Sequence, residues 1–261
     1  MCFDLDSRPP IAPIAGGALE SRELTLTADD GNRFTAFSAR AAEPTGAGIV
    51  ILPDVRGLHA YYEDLALRFA ENGIDAVAID YFGRTAGLGR REHGFSYMPH
   101  VDQTTFAGLG ADIRAAAEFI RSPEGGGARS VFTVGFCFGG RISFVAATLG
   151  LELAGVIGFY GIPVGVGRAG LPAPADVAAN LRSPVLGLFG GADAAIPPED
   201  VATFEAALAA AGVDHRIVSY PDAPHSFFDR KAEEFADASA AAWRETLAFI
   251  AAHASTPAAR G

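Results

Sequence analysis

Three short runs in this chain are apolar almost throughout: Gly48–Pro53, Ile74–Ile79 and Ser130–Val134. A strand with one face in water alternates polar and apolar side chains. A continuous apolar run is covered on both faces, as in a parallel sheet sandwiched between helices. The segments that follow these runs have helical periodicity: Tyr61–Glu71, about 103–121, and Arg141–Thr148. The second half repeats the alternation. Strands are expected at Leu153–Tyr160, Pro184–Phe189 and His215–Tyr220, and helices at Pro197–Ala211 and Lys231–His253. Ahead of all this, Glu23–Thr27 and Arg33–Ser38 alternate around the turn signal Asp29-Asp30-Gly31-Asn32, which predicts an antiparallel hairpin at a sheet edge. The class is therefore α/β, with a mainly parallel central sheet, an N-terminal antiparallel hairpin and helices on both faces. The expected organisation is an irregular Pro- and Gly-rich leader over 1–21, a single domain over 22–254 and a frayed tail over 255–261.

Composition narrows the function. Of 261 residues, 49% are hydrophobic, enough for one large core, and the formal net charge is -11. An acidic surface repels phosphate backbones, so nucleic acid is excluded as a partner. Met1–Pro13 lacks the basic and apolar regions of a signal peptide, and no apolar run reaches membrane-spanning length. The chain is expected to be cytoplasmic, with no membrane partner, and either monomeric or homodimeric. Its two cysteines are Cys2, near a terminus, and Cys137. A disulfide is not expected, and no Cys/His spacing suits a metal.

Cys137 sits in Gly135-Phe136-Cys137-Phe138-Gly139-Gly140, between a predicted strand and a predicted helix. Strand, G-x-C-x-G, helix is a nucleophile elbow with cysteine in place of serine. Glycine on both sides removes the side chains that so tight a turn would crush. The helix N-terminus then faces the sulfur and favours a thiolate. Taken alone, the stretch also reads as a buried structural thiol in a Gly-rich turn. The context favours chemistry. In a parallel sheet reactive groups gather at the strands' C-terminal ends. Gly190-Gly191-Ala192-Asp193 ends one later strand, and Pro224-His225 follows the last. Nucleophile, acid, histidine is the chain order of α/β-hydrolases. The roles that follow are Cys137 as nucleophile, His225 as base and Asp193 as its orienting acid, with the backbone N–H groups of Val55 and Phe138 as oxyanion donors. Tyr160 and Phe228, at the same edge, are candidates to line an aromatic substrate pocket.

These motifs resemble those of the dienelactone hydrolase (carboxymethylenebutenolidase) family. Gly135–Gly140 is similar to the family's G-[YF]-C-[LF]-G-G, Gly190–Asp193 to its G-x-x-D, and His225-Ser226-Phe227 to its H-[SG]-F. The resemblance spans about residues 20–252. It implies an α/β-hydrolase fold, no metal or organic cofactor, and hydrolysis of a small lactone or ester through an acyl-thioester. It also implies that Asp54 stands where the family has an acidic residue beside the thiol, and that Arg84 matches an arginine binding a substrate carboxylate. Where the family has a second arginine, four residues after the histidine, this chain has Asp229; Arg56 is a candidate to compensate. A competing reading is a non-catalytic small-ligand binding protein on the same fold.

Overall fold

A computed structural model describes residues 7–91 and 94–255. Cys2, most of the tail and His93 lie outside the described residues. The hairpin is β1 (Ala18–Thr27) and β2 (Arg33–Ala41), paired antiparallel with Thr25 opposite Thr35. β1 starts inside the segment expected to be an irregular leader, because Ala18 and Glu20–Ser21 pair with Ala39–Ala41. The five strands that follow are β3 (Ala47–Leu52), β4 (Ile74–Ile79), β5 (Ser130–Phe136), β6 (Gly155–Phe159) and β7 (Val185–Gly190). Every residue in them is buried. Successive side chains of a strand point to opposite faces, so both faces of the sheet are covered. β8 (His215–Tyr220) is half-buried.

The sheet order is β1-β2-β4-β3-β5-β6-β7-β8, with β2 antiparallel to β4 and all later pairs parallel. The exposed edge strand β1 carries Glu20, Arg22 and Glu23, charges that discourage edge-to-edge pairing. Three of the crossover helices are α1 (Ala60–Glu71), α4 (Phe106–Arg121) and α5 (Phe138–Ala146). Between β4 and α4 the long loop contains two single turns, α2 (Gly83–Ala86) and α3 (Met98–Val101). α4 begins at Phe106 because the Thr105 hydroxyl caps it, accepting from the Gly108 N–H at 3.1 Å.

α6 (Pro198–Ala210) joins β7 to β8, and α7 (Ala236–His253) closes the chain. α7 starts five residues later than its apolar pattern suggests. Residues 226–235 instead turn back on themselves, with the Asp229 and Lys231 N–H groups both donating to the Ser226 carbonyl. That fold-back buries Asp229 at the C-terminal edge of the sheet.

Candidate active site at the C-terminal edge of the sheet

β5 delivers Cys137 to the edge. The residue has φ 54° and ψ -111°, left-handed backbone that a β-substituted residue adopts only when its surroundings impose it. The imposition is steric. A Cβ on Gly135 would lie 1.9 Å from the Gly139 carbonyl oxygen. One on Gly139 would lie 2.1 Å from the Leu52 oxygen and 2.2 Å from that of Pro53. The elbow thus packs backbone to backbone against the end of β3. The Cys137 N–H donates to the Phe159 carbonyl at 3.0 Å, tying it also to the end of β6.

The half-buried thiol opens on a cavity of about 360 Å³. Val55 and Phe138, the expected oxyanion donors, line the same cavity. Its outer wall is the loop after β6, with Ile162, Val166 and Arg168. Arg141, one turn beyond Cys137 on α5, holds that loop. Its guanidinium donates to the carbonyls of Ile162, Val164, Gly165, Leu171 and Pro172 at 2.7–3.2 Å. Burial pushes the Arg141 guanidinium below its usual pKa, with Asp176 acting in the opposite sense. Sequence reading passed over Arg141; its signal is a lone cation in an otherwise uncharged, wholly buried helix.

Asp193 follows β7 and His225 follows β8. His225 Nδ1 and Asp193 Oδ2 are 2.6 Å apart, and the carboxylate is 1% exposed. Its other oxygen accepts from the Ala195 N–H at 2.8 Å. An imidazole tied through Nδ1 to a buried carboxylate is held in one tautomer and one orientation. Cys137 and His225 each meet one of two consecutive residues at the end of β6. Phe159 binds the Cys137 N–H, and the ring of Tyr160 lies 4.9 Å from that of His225.

The loop after β3 carries Asp54, fully buried. Arg56 closes on it within the loop, donating to Asp54 Oδ1 from its backbone N–H at 2.9 Å and to Oδ2 from Nη2 at 3.2 Å. The Asp54 N–H donates to the Tyr62 hydroxyl at 2.8 Å, and the Tyr81 hydroxyl donates to the Pro53 and Asp54 carbonyls.

None of the expected substrate residues Asp54, Arg56, Arg84, Tyr160 and Phe228 is among those lining the cavity. Arg84 donates to Asp112 from Nε at 3.2 Å and Nη2 at 2.8 Å, and to Asp30 from Nη1 at 2.5 Å and Nη2 at 3.1 Å. Its guanidinium ties the hairpin turn to α4, so the expectation of a carboxylate-binding arginine does not match its position. Phe228 is fully buried, packed on Phe159 at 4.6 Å and stacked on Phe136, so it is core rather than lining. Tyr160 is also fully buried; it reaches His225 rather than the cavity.

The model of the Dienelactone hydrolase family matches residues 34–254. The chain belongs to the dienelactone hydrolase family. A relative from Salmonella typhimurium, named "Putative carboxymethylenebutenolidase", is 32% identical over 255 residues, covering 93% of this chain and 92% of the relative. One of the same name from Yersinia pestis is 30% identical over 235 residues, covering 88% and 87%. A crystal structure titled "Putative Dienelactone Hydrolase", from Klebsiella pneumoniae, superposes with a TM-score of 0.76 at 30% identity, covering 89% of this chain and 99% of that one. This dienelactone hydrolase family member is therefore a carboxylic ester or lactone hydrolase on the α/β-hydrolase fold. Among its described residues no helix is long and apolar enough to cross a membrane.

Proposed function

We propose that the protein hydrolyses small lactones or esters through a Cys137-His225-Asp193 triad and an acyl-thioester on Cys137. The observation that carries the reading is the 2.6 Å bond between His225 and buried Asp193, at the sheet edge where the elbow presents Cys137. In the first half-reaction the Cys137 sulfur attacks the carbonyl carbon. The oxyanion that forms would accept from the backbone N–H groups of Val55 and Phe138, two residues that line the same cavity as Cys137. The His225 imidazolium gives its proton to the leaving alkoxide; in a lactone this opens the ring. In the second half-reaction His225 takes a proton from water, which attacks the thioester carbonyl; the C–S bond breaks, the Cys137 thiolate leaves, and the carboxylic acid departs and ionises in water. Asp193 keeps Nδ1 protonated throughout.

Neither arginine position that the resemblance assigns to a substrate carboxylate offers an uncommitted cation. Arg84 is bound by two carboxylates, and position 229 carries a carboxyl where the resemblance calls for an arginine. Turnover of neutral aryl esters is therefore expected to match or exceed that of carboxylate-bearing dienelactones.

The test is a panel of small lactones and esters with wild type and Cys137→Ala, plus mass spectrometry of the protein quenched during turnover. The expected result is loss of activity in the variant and an acyl adduct on Cys137. Undiminished turnover by Cys137→Ala would overturn the mechanism. Absence of turnover on every member by wild type, with ligand binding retained, would favour the binding-protein reading.

A further inference from the structure

One buried ionisable group beside His225 has no part in the triad. Asp229 lies four residues beyond the histidine and is 4% exposed. Its Oδ2 accepts from the Tyr160 hydroxyl at 2.7 Å, and its Oδ1 accepts from the Arg230 backbone N–H. The Tyr160 ring lies against the His225 ring with centroids 4.9 Å apart and planes at 53°. Tyr160 has φ 39°, an unfavourable conformation for a residue with a side chain. Its N–H is bound to the Leu188 carbonyl at 2.8 Å, so the residue is pinned at the backbone and at the hydroxyl.

The titratable and charged groups around this pair come from every neighbouring element. Tyr61 on α1 and Asp54 after β3 sense the Asp229 charge or act on it, and Arg56 sits on Asp54. His225 and Arg230 come from the same loop as Asp229, and Asp193 holds His225 from the far side. Burial is the largest influence and pushes the Asp229 carboxyl up to about 8, with Asp54 adding to the rise. The bonds from Tyr160 and Arg230, and the proximity of His225, pull it down.

We propose that Asp229, acting through Tyr160, is a second positioning residue for His225: it fixes the face of the imidazole and, once ionised, keeps the ring protonated to higher pH. The inference rests on His225 being the working base. Asp193 fixes one edge of the ring through Nδ1 but leaves rotation about that bond. Tyr160, tilted against the ring, hinders the rotation, and Asp229 keeps Tyr160 in place. While Asp229 is neutral its contribution is orientation alone. When it loses its proton, a negative charge close to the imidazole favours the imidazolium.

The experiment compares wild type, Asp229→Asn and Tyr160→Phe by pH–rate profiles on a neutral aryl ester and by NMR titration of the His225 ring. Asparagine keeps an acceptor for the tyrosine hydroxyl and removes the charge. Its kcat should fall less than that of Tyr160→Phe, and its alkaline limb should move down by roughly half a pH unit or more. Phenylalanine keeps the ring and removes the hydrogen bond. Its kcat should fall about 10-fold with KM unchanged, because the imidazole is no longer held in line. The wild-type His225 resonance should also sense a second group titrating near pH 8, and this readout needs no variant to fold. An alkaline limb and a His225 titration that stay in place in Asp229→Asn would overturn the proposal, as would a wild-type titration with a single step. Inactivity of Cys137→Ala alongside those negative results would leave the triad standing; full activity of Cys137→Ala would remove the triad itself.

Discussion

Asp193 shows how much one residue's neighbours decide. Its two oxygens are committed, one to His225 Nδ1 and one to the Ala195 N–H, so the side chain has one orientation. Asp193→Asn preserves size but puts an amide where the imidazole needs an acceptor. We expect kcat to drop about 10³–10⁴-fold with KM nearly unchanged, as for the equivalent change in a serine triad. Steady-state kinetics on a neutral ester checks this, and a loss below tenfold would mark the bond as structural only. Asp193 and His225 were legible in the sequence because each follows a strand in a recognisable order. Arg84 was misleading for the converse reason. Its partners Asp30 and Asp112 lie 54 and 28 residues away, and no local pattern announces them. Asp229 appeared in the sequence only as a missing arginine. Its bond to Tyr160, 69 residues distant, gives it a place beside the histidine.

At the scale of elements, the elbow and the loop opposite it form one unit. The Gly135–Gly140 pattern predicted a turn with no room for side chains, and the short distances to the Leu52, Pro53 and Gly139 oxygens give the reason. The loop over 161–172 gave no such signal beyond glycine and proline. It has little regular structure, and Arg141 supplies the order by gathering five of its carbonyls. Arg141→Met keeps much of the apolar stem and removes the donors. This should cost about 2–4 kcal/mol of stability, the range for breaking a buried hydrogen-bond network. It should also speed amide exchange at residues 162–172 selectively, since that loop walls the cavity. Hydrogen exchange with mass spectrometry reads this directly. Uniform acceleration across the sheet would instead mean that the arginine supports the whole fold.

For the whole molecule, buried ionisable groups set the pH dependence of stability. Burial depresses His59 to about 4, so unfolding takes up a proton between there and its ordinary 6.5, and stability rises with pH across that window. Asp229 acts oppositely: folded, it keeps its proton up to about 8, while the unfolded chain releases it near 3.8, so stability falls as pH rises between those values. Burial raises Asp75, Asp80 and Asp112 as well, with the same sign as Asp229. Above pH 6.5 the His59 contribution is complete and the falling one remains. The urea midpoint should therefore decline from pH 6.5 to 8, and Asp229→Asn should flatten the decline. A midpoint that rises over this interval would contradict the assignment.

The sequence alone determined the parallel sheet, the edge hairpin and the glycine-built elbow, and it put Cys137, Asp193 and His225 each after a strand. These are properties of short segments: burial on both faces demands continuous apolar runs, and a left-handed turn packed on backbone demands glycine. Which charges serve a ligand and which serve the fold was decided only by tertiary structure. Arg84 went to the hairpin turn, Arg56 to Asp54, Arg141 to the cavity loop and Asp229 to Tyr160. A charge acts on whatever partner folding brings within a few ångströms, and in this chain the side-chain partners of Arg84, the carbonyls that Arg141 holds and the tyrosine on Asp229 lie 21 to 69 residues away in sequence.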